Sequence, residues 1–87
     1  MSYRIRVESS ADRDLKHLPE KVAQRVDRKL DELAENPLPR GAIKLKGYAD
    51  TVWRVRVGDY RIVYTINTEE KLVKVFGVLP RPKAYRR

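Results

Sequence analysis

In residues 3–7, Tyr-Arg-Ile-Arg-Val, apolar and charged side chains take turns, the period of a strand with one wet face. Ser9-Ser10 followed by Ala-Asp-Arg-Asp predicts a helix cap with acids in the first turn, where the macrodipole favours them. That short helix is expected to end near Leu18, and Pro19 suits the first turn of a second helix. Over residues 19–35 apolar side chains fall at Val22, Ala23, Val26, Leu30, Leu33 and Ala34, one helical face, while the other positions are almost all charged. The stripe spans about two heptads, too short for a coiled coil, and predicts a helix lying on a core. Asn36-Pro37-Leu38-Pro39-Arg40-Gly41 stops it in a loop, after which the period changes to two. Strands are expected over residues 43–46, 51–57, 60–66 and 72–79, with polar turns at 47–50 and 67–71. The order is β-α-α-β-β-β-β. It predicts an α+β domain: an N-terminal strand, a two-helix hairpin, then a largely antiparallel four-strand run with the helices on one side.

The stretch WRVRVGDYRIVY, residues 53–64, puts three arginines into the most strand-like part of the chain. Gly58-Asp59 between two strand runs matches a two-residue hairpin loop with glycine first, the type II′ signature. Residues facing each other across that turn sum to 117, which pairs Arg56 with Arg61, Arg54 with Val63 and Trp53 with Tyr64. Trp53, Val55, Val57, Tyr60, Ile62 and Tyr64 then share an apolar face, and Arg54, Arg56 and Arg61 gather on the other. Arg56 directly opposite Arg61 is a like-charge pair, unfavourable in itself. A solvated face is the plain explanation. The functional one is a phosphate seated between two guanidinium forks that stay charged at any physiological pH.

Charge bears on the choice. The formal net charge is +8. Residues 1–36 hold eight Lys/Arg and eight Asp/Glu, a balance of zero; residues 37–87 hold twelve against four, so 12 − 4 = +8 resides entirely in the second half. This asymmetry favours a polyanionic partner, nucleic acid or the ribosome, with an acidic protein segment as the other candidate. The 87 residues are expected to form one domain that hides roughly 60% of its unfolded surface. With no cysteine there is no disulfide or thiolate chemistry, and the single histidine, His17, reads as a helix-end residue. No metal or cofactor is expected. No apolar run approaches the roughly 20 residues that cross a bilayer, which with Met1-Ser2-Tyr3-Arg4 at the start gives the expectation of a soluble cytoplasmic protein.

The chain closes on Leu79-Pro80-Arg81-Pro82-Lys83-Ala84-Tyr85-Arg86-Arg87. Prolines on both sides of Arg81 restrict its backbone, and Tyr85 could stack on a base or donate to a phosphate. Taken with Lys44-Leu45-Lys46-Gly47 and Asp59-Tyr60-Arg61-Ile62-Val63-Tyr64, the chain resembles the RelE/ParE superfamily of type II toxin–antitoxin toxins over nearly its whole length, the RelE branch in particular. The resemblance implies a ribosome-dependent endoribonuclease that cuts mRNA in the A site without a metal. It also implies a cognate antitoxin, whose acidic segment folds on binding to give a hetero-oligomer. By the same resemblance Arg61 and Arg81 match the family's catalytic arginines and Tyr85 its terminal tyrosine. Arg54 and Arg56 stand where the best-known members carry two lysines. An arginine does not realistically accept a proton, so the general base is left unassigned, with Lys44 and Lys46 as possible substitutes. Lys44, Lys46, Lys83 and Arg86 are the expected RNA contacts. The alternatives are a ParE-like gyrase inhibitor, a non-catalytic RNA-binding module, and an inactive relative acting with its antitoxin on operator DNA.

Overall fold

A computed structural model of the chain describes residues 2–47 and 51–81. Strand β1 (Arg4–Val7) leads into helices α1 (Ser9–Lys16) and α2 (Glu20–Glu35). Strands β2 (Ile43–Leu45), β3 (Val52–Val57), β4 (Tyr60–Asn67) and β5 (Leu72–Pro80) follow. They form one five-stranded sheet in the order β1-β5-β4-β3-β2. The pairings among β2 to β5 are antiparallel, and β1 runs parallel to β5. The α+β architecture and the element order are those expected from the sequence. What periodicity does not contain is the place of β1, which crosses beside the last strand of the chain.

The helical hairpin covers one face of the sheet. Val26, Leu30 and Leu33 of α2 and Ala11 of α1 are buried against Val55, Val57, Ile62, Tyr64, Val73, Val75 and Val78. Full burial of a Val or Leu side chain contributes about 1.5–3 kcal/mol, so this layer supplies most of the driving force. Val22, Ala23 and Ala34, at the margins of the apolar stripe, are only half-buried.

The helix starts differ from expectation. Glu8, not Ser9 or Ser10, is the N-cap of α1, and it makes no side-chain cap bond. The Ser10 hydroxyl donates instead to the Phe76 carbonyl at 2.6 Å, while the Glu8 N–H donates to the Val75 carbonyl at 2.9 Å. The reason is tertiary. Strand β1 pairs with β5 only as far as Val75, leaving the next residues of β5 with a bare edge, and α1 lies along it. The Val78 N–H donates to the Asp14 carboxylate at 3.0 Å. Residues read as serving their own helix thus cap a sheet edge, a place that otherwise invites pairing with another chain. Pro19 similarly sits one place earlier than expected, as N-cap of α2.

Tyr64 is the largest side chain of the core and fully buried. Its hydroxyl donates to the Pro37 carbonyl at 2.7 Å, fastening the loop after α2 to the middle of the sheet. Burial pushes its pKa from 10.0 up to about 12. A raised folded-state value means that the fold favours the neutral phenol. Its contribution is complete below pH 10 and is lost as pH rises through 12. Tyr64→Phe is expected to lower stability by about 1 kcal/mol at neutral pH, since the Pro37 carbonyl loses its donor. The variant should also show a flatter fall in stability between about pH 10 and 12. Urea midpoints measured across that window check both, and parallel profiles for the two proteins would refute the anchoring role.

Candidate functional site

The hairpin joining β3 and β4 builds the site. Gly58 has φ +59°, and among the described residues Lys71 is the one non-glycine with positive φ, so Asp59 has negative φ and the turn is of type II′. The register is Val57↔Tyr60, Arg56↔Arg61, Val55↔Ile62, Arg54↔Val63 and Trp53↔Tyr64, as the turn arithmetic predicts. A Cβ on Gly58 would lie 3.0 Å from Nη1 of Arg25, so the guanidinium of this α2 residue passes close over the turn.

Arg54, Arg56 and Arg61 therefore share the face away from the helices. Opposed residues on that face have β-carbons about 5 Å apart. Arg61 belongs to β4, the central strand, whose backbone is paired on both sides, by β3 at Arg56 and by β5 at Leu79. Such a position fixes the root of the side chain. Arg61 Nε is shut off from solvent and has no hydrogen-bond partner. An unpaired buried donor costs about 1–3 kcal/mol, a cost that an acceptor brought by a ligand would remove. Nε and one Nη form the side of a guanidinium that binds phosphate bidentately.

Arg81 comes to the same end of the sheet. Its N–H donates to the Asp59 carbonyl at 2.7 Å, and its Nη1 lies 3.8 Å from the Asp59 carboxylate. Both partners are exposed, so the pair adds little stability. Its consequence is position: Arg81 extends β5 beside the hairpin turn, two residues past Leu79, the partner of Arg61. Asp59, absent from the candidate residues read off the sequence, is what holds it there.

The lysines divide differently. Lys44 pairs with Trp53, which places it on the helix-side face, away from the arginines; Ile43 and Leu45 occupy the arginine side of β2. Lys46 is exposed just past the end of β2. The structure thus does not bring Lys44 to the place of the two absent lysines. Tyr85, Lys83 and Arg86 lie outside the described residues.

Three cations missed in the sequence join the open face. The pairings Arg4↔Leu72, Arg6↔Lys74 and Thr65↔Lys74 put Arg4, Arg6 and Lys74 on the same side as Arg61. The alternation of residues 3–7 gave Arg4 and Arg6 a wet face, but the parallel pairing of β1 with β5 was needed to say which face. None of the five strands contains an acidic residue, whereas all carry at least one cation: Arg4, Arg6, Lys44, Arg54, Arg56, Arg61 and Lys74. The described acids stand on helices, at the cap of α1 and in turns.

Comparison with known proteins agrees with this architecture. Residues 5–85 match the family model for the ParE toxin of type II toxin–antitoxin systems. Toxin RelG of Mycobacterium tuberculosis is 34% identical, with full coverage of both chains, and Toxin RelE of the same organism is 33% identical over 97% of this chain and 87% of its own length. A chain of the archaeal RelE–RelB complex from Pyrococcus horikoshii superposes with a TM-score of 0.84 at 34% identity, covering 97% of this chain and all of that one. Fold and relatives define a toxin of a type II toxin–antitoxin system. Within that class the chain belongs to the RelE/ParE family, with RelE toxins among its relatives.

The opposed arginines set function against stability. Arg56→Thr should stabilise the fold by about 0.2–1 kcal/mol by removing a like charge from opposite Arg61. The gain should shrink in high salt. Thermal midpoints at low and high ionic strength check this; a variant less stable than wild type at low salt would show that the pair is not repulsive.

Proposed function

We propose that the chain is a ribosome-dependent endoribonuclease that cleaves mRNA in the A site without a metal, and that a cognate antitoxin holds it inactive. The observation carrying this reading is the Arg56–Arg61 pair, two cations held face to face on central strands with the Nε donor of Arg61 unsatisfied. In the reaction a 2′-hydroxyl attacks the adjacent phosphorus while the bond to the 5′-oxygen breaks, leaving a 2′,3′-cyclic phosphate and a 5′-hydroxyl. Arg56 and Arg61 clamp the scissile phosphate, with Arg54 beside them. Arg81 stabilises charge on the departing oxygen, and Tyr85 orients the nucleotide or relays a proton. Lys46, Lys83 and Arg86 contact the RNA around the cut, whereas Lys44, on the helix-side face of β2, faces away from it.

Preorganised donors aimed at developing charge are worth about 10²–10³ each in rate. General acid–base catalysis adds about 10²–10⁴, and a cluster of arginines supplies poor bases. Dependence on the ribosome follows, because holding the RNA in line for attack replaces part of that missing contribution. An acidic antitoxin segment suits the same chemistry: strands free of acids attract it, and it orders on binding. Relatives of this chain occur in RelE–RelB toxin–antitoxin complexes.

Arg61→Ala should lower codon-specific mRNA cleavage in a translation extract by about 10²–10³. Cleavage at the wild-type rate would remove Arg61 from the site. The ParE name of the matching family model favours a second reading, inhibition of DNA gyrase. A supercoiling assay separates the two: the ribonuclease reading expects gyrase to be unaffected by the purified protein, and inhibition at stoichiometric protein would reverse the assignment.

A further inference from the structure

The open face continues well beyond the arginine clamp. Four residues along β4 from Arg61, Thr65 pairs with Lys74, which in turn pairs with Arg6 of β1. At about 3.4 Å per residue this second row of cations lies roughly 14 Å down the sheet from the clamp. Beside it is a shallow recess of about 470 Å³, lined by Thr51, Thr65, Asn67, Thr68, Leu72 and Lys74, with Ile66 and Glu69 completing the wall. Its chemistry is mixed in a particular way. Leu72 offers an apolar floor, while the threonines and Asn67 offer uncharged donors and acceptors. The cations Arg4, Arg6 and Lys74 stand along the β1–β5 side, and Glu69 on the wall disfavours an anion inside.

We propose that this recess is a second nucleotide subsite, which receives a base of the same single-stranded RNA whose scissile phosphate sits at Arg56 and Arg61. The inference rests on the ribonuclease reading and extends it. A base, neutral and flat, enters between Leu72 and the polar groups; its backbone phosphate remains outside, against Lys74 and Arg6, which Glu69 does not face across the strand pair. Arg54, opposite Val63 and so between the two rows, continues the cationic path from one to the other. A phosphate-binding surface alone would not need the recess, and a buried base alone would not need the cations. Together they fit one nucleotide. The site is distinct from the clamp in residues and in position, so its contribution can be measured separately.

The test is the salt dependence of binding to a fluorescent 12-nucleotide RNA carrying 2′-deoxy substitution, which prevents cleavage. Each phosphate neutralised on a single strand contributes about 0.7 to the slope of log affinity against log salt. The double variant Arg6→Gln/Lys74→Gln, which frees the one phosphate that both cations hold, is expected to lose about 0.7 from the wild-type slope. Thr65→Val removes a hydroxyl from the recess without removing charge; it should weaken binding roughly fivefold at unchanged slope. Thermal midpoints confirm that both variants are folded. If the double variant keeps the full slope, or Thr65→Val binds as wild type does, while wild type still binds and cleaves RNA, the subsite is wrong and the ribonuclease reading stands. If wild-type protein cleaves mRNA on ribosomes but does not bind the oligonucleotide, the subsite is wrong and the ribonuclease reading stands; if it does neither, both fall together.

Discussion

The Gly58-Asp59 turn reverses the chain within two residues, and the rest of the site depends on that economy of length. Side chains alternate between the faces of a strand, so a hairpin longer or shorter by one residue on one side would exchange the faces of β4 relative to β3. Ile62 and Tyr64 would then leave the core, and Arg61 would be driven beneath the helices. The burial of Tyr64 and the exposure of the arginines are one fact seen from two sides. Glycine is favoured at the first turn position because φ there is +59°, a region costly for other residues.

Around this hairpin the molecule is tied at its margins by single polar contacts. Asp14 and Ser10 of α1 close the part of β5 that β1 does not reach, and the Tyr64 hydroxyl holds the loop after α2 at Pro37. Each contact satisfies a backbone group that a short, open sheet would leave to water or to another chain. A domain this small has little hydrophobic surplus, so such contacts matter in proportion.

Charge is segregated by secondary structure. The helices and turns mix acids and bases, while the strands carry cations alone, most of them facing away from the helices. Opposing Arg56 to Arg61 costs stability in the free protein, and the unsatisfied Nε of Arg61 adds to that cost. Sites that concentrate like charge in the unliganded state are repaid when a counter-charge arrives. Under the proposed function, the surface that holds an RNA phosphate also suits an acidic antitoxin segment, and the two would compete for the same cations.

The periodicity of the chain sufficed for the element order, the apolar stripe of α2, the II′ turn and the facing of Arg56 by Arg61, because all of these follow from alternation and turn length within about a dozen residues. Four features were beyond it: β1 lying parallel to β5, Asp14 and Ser10 serving a sheet edge instead of their helix, Lys44 falling on the helix side, and Asp59 holding Arg81. Each joins residues that are distant in sequence or depends on which neighbour an edge strand chooses. Local pattern shows that a strand has two faces and gives each its composition. Only the closed packing of the sheet against the helices decides which of those faces lie together, and so whether scattered cations become a single surface.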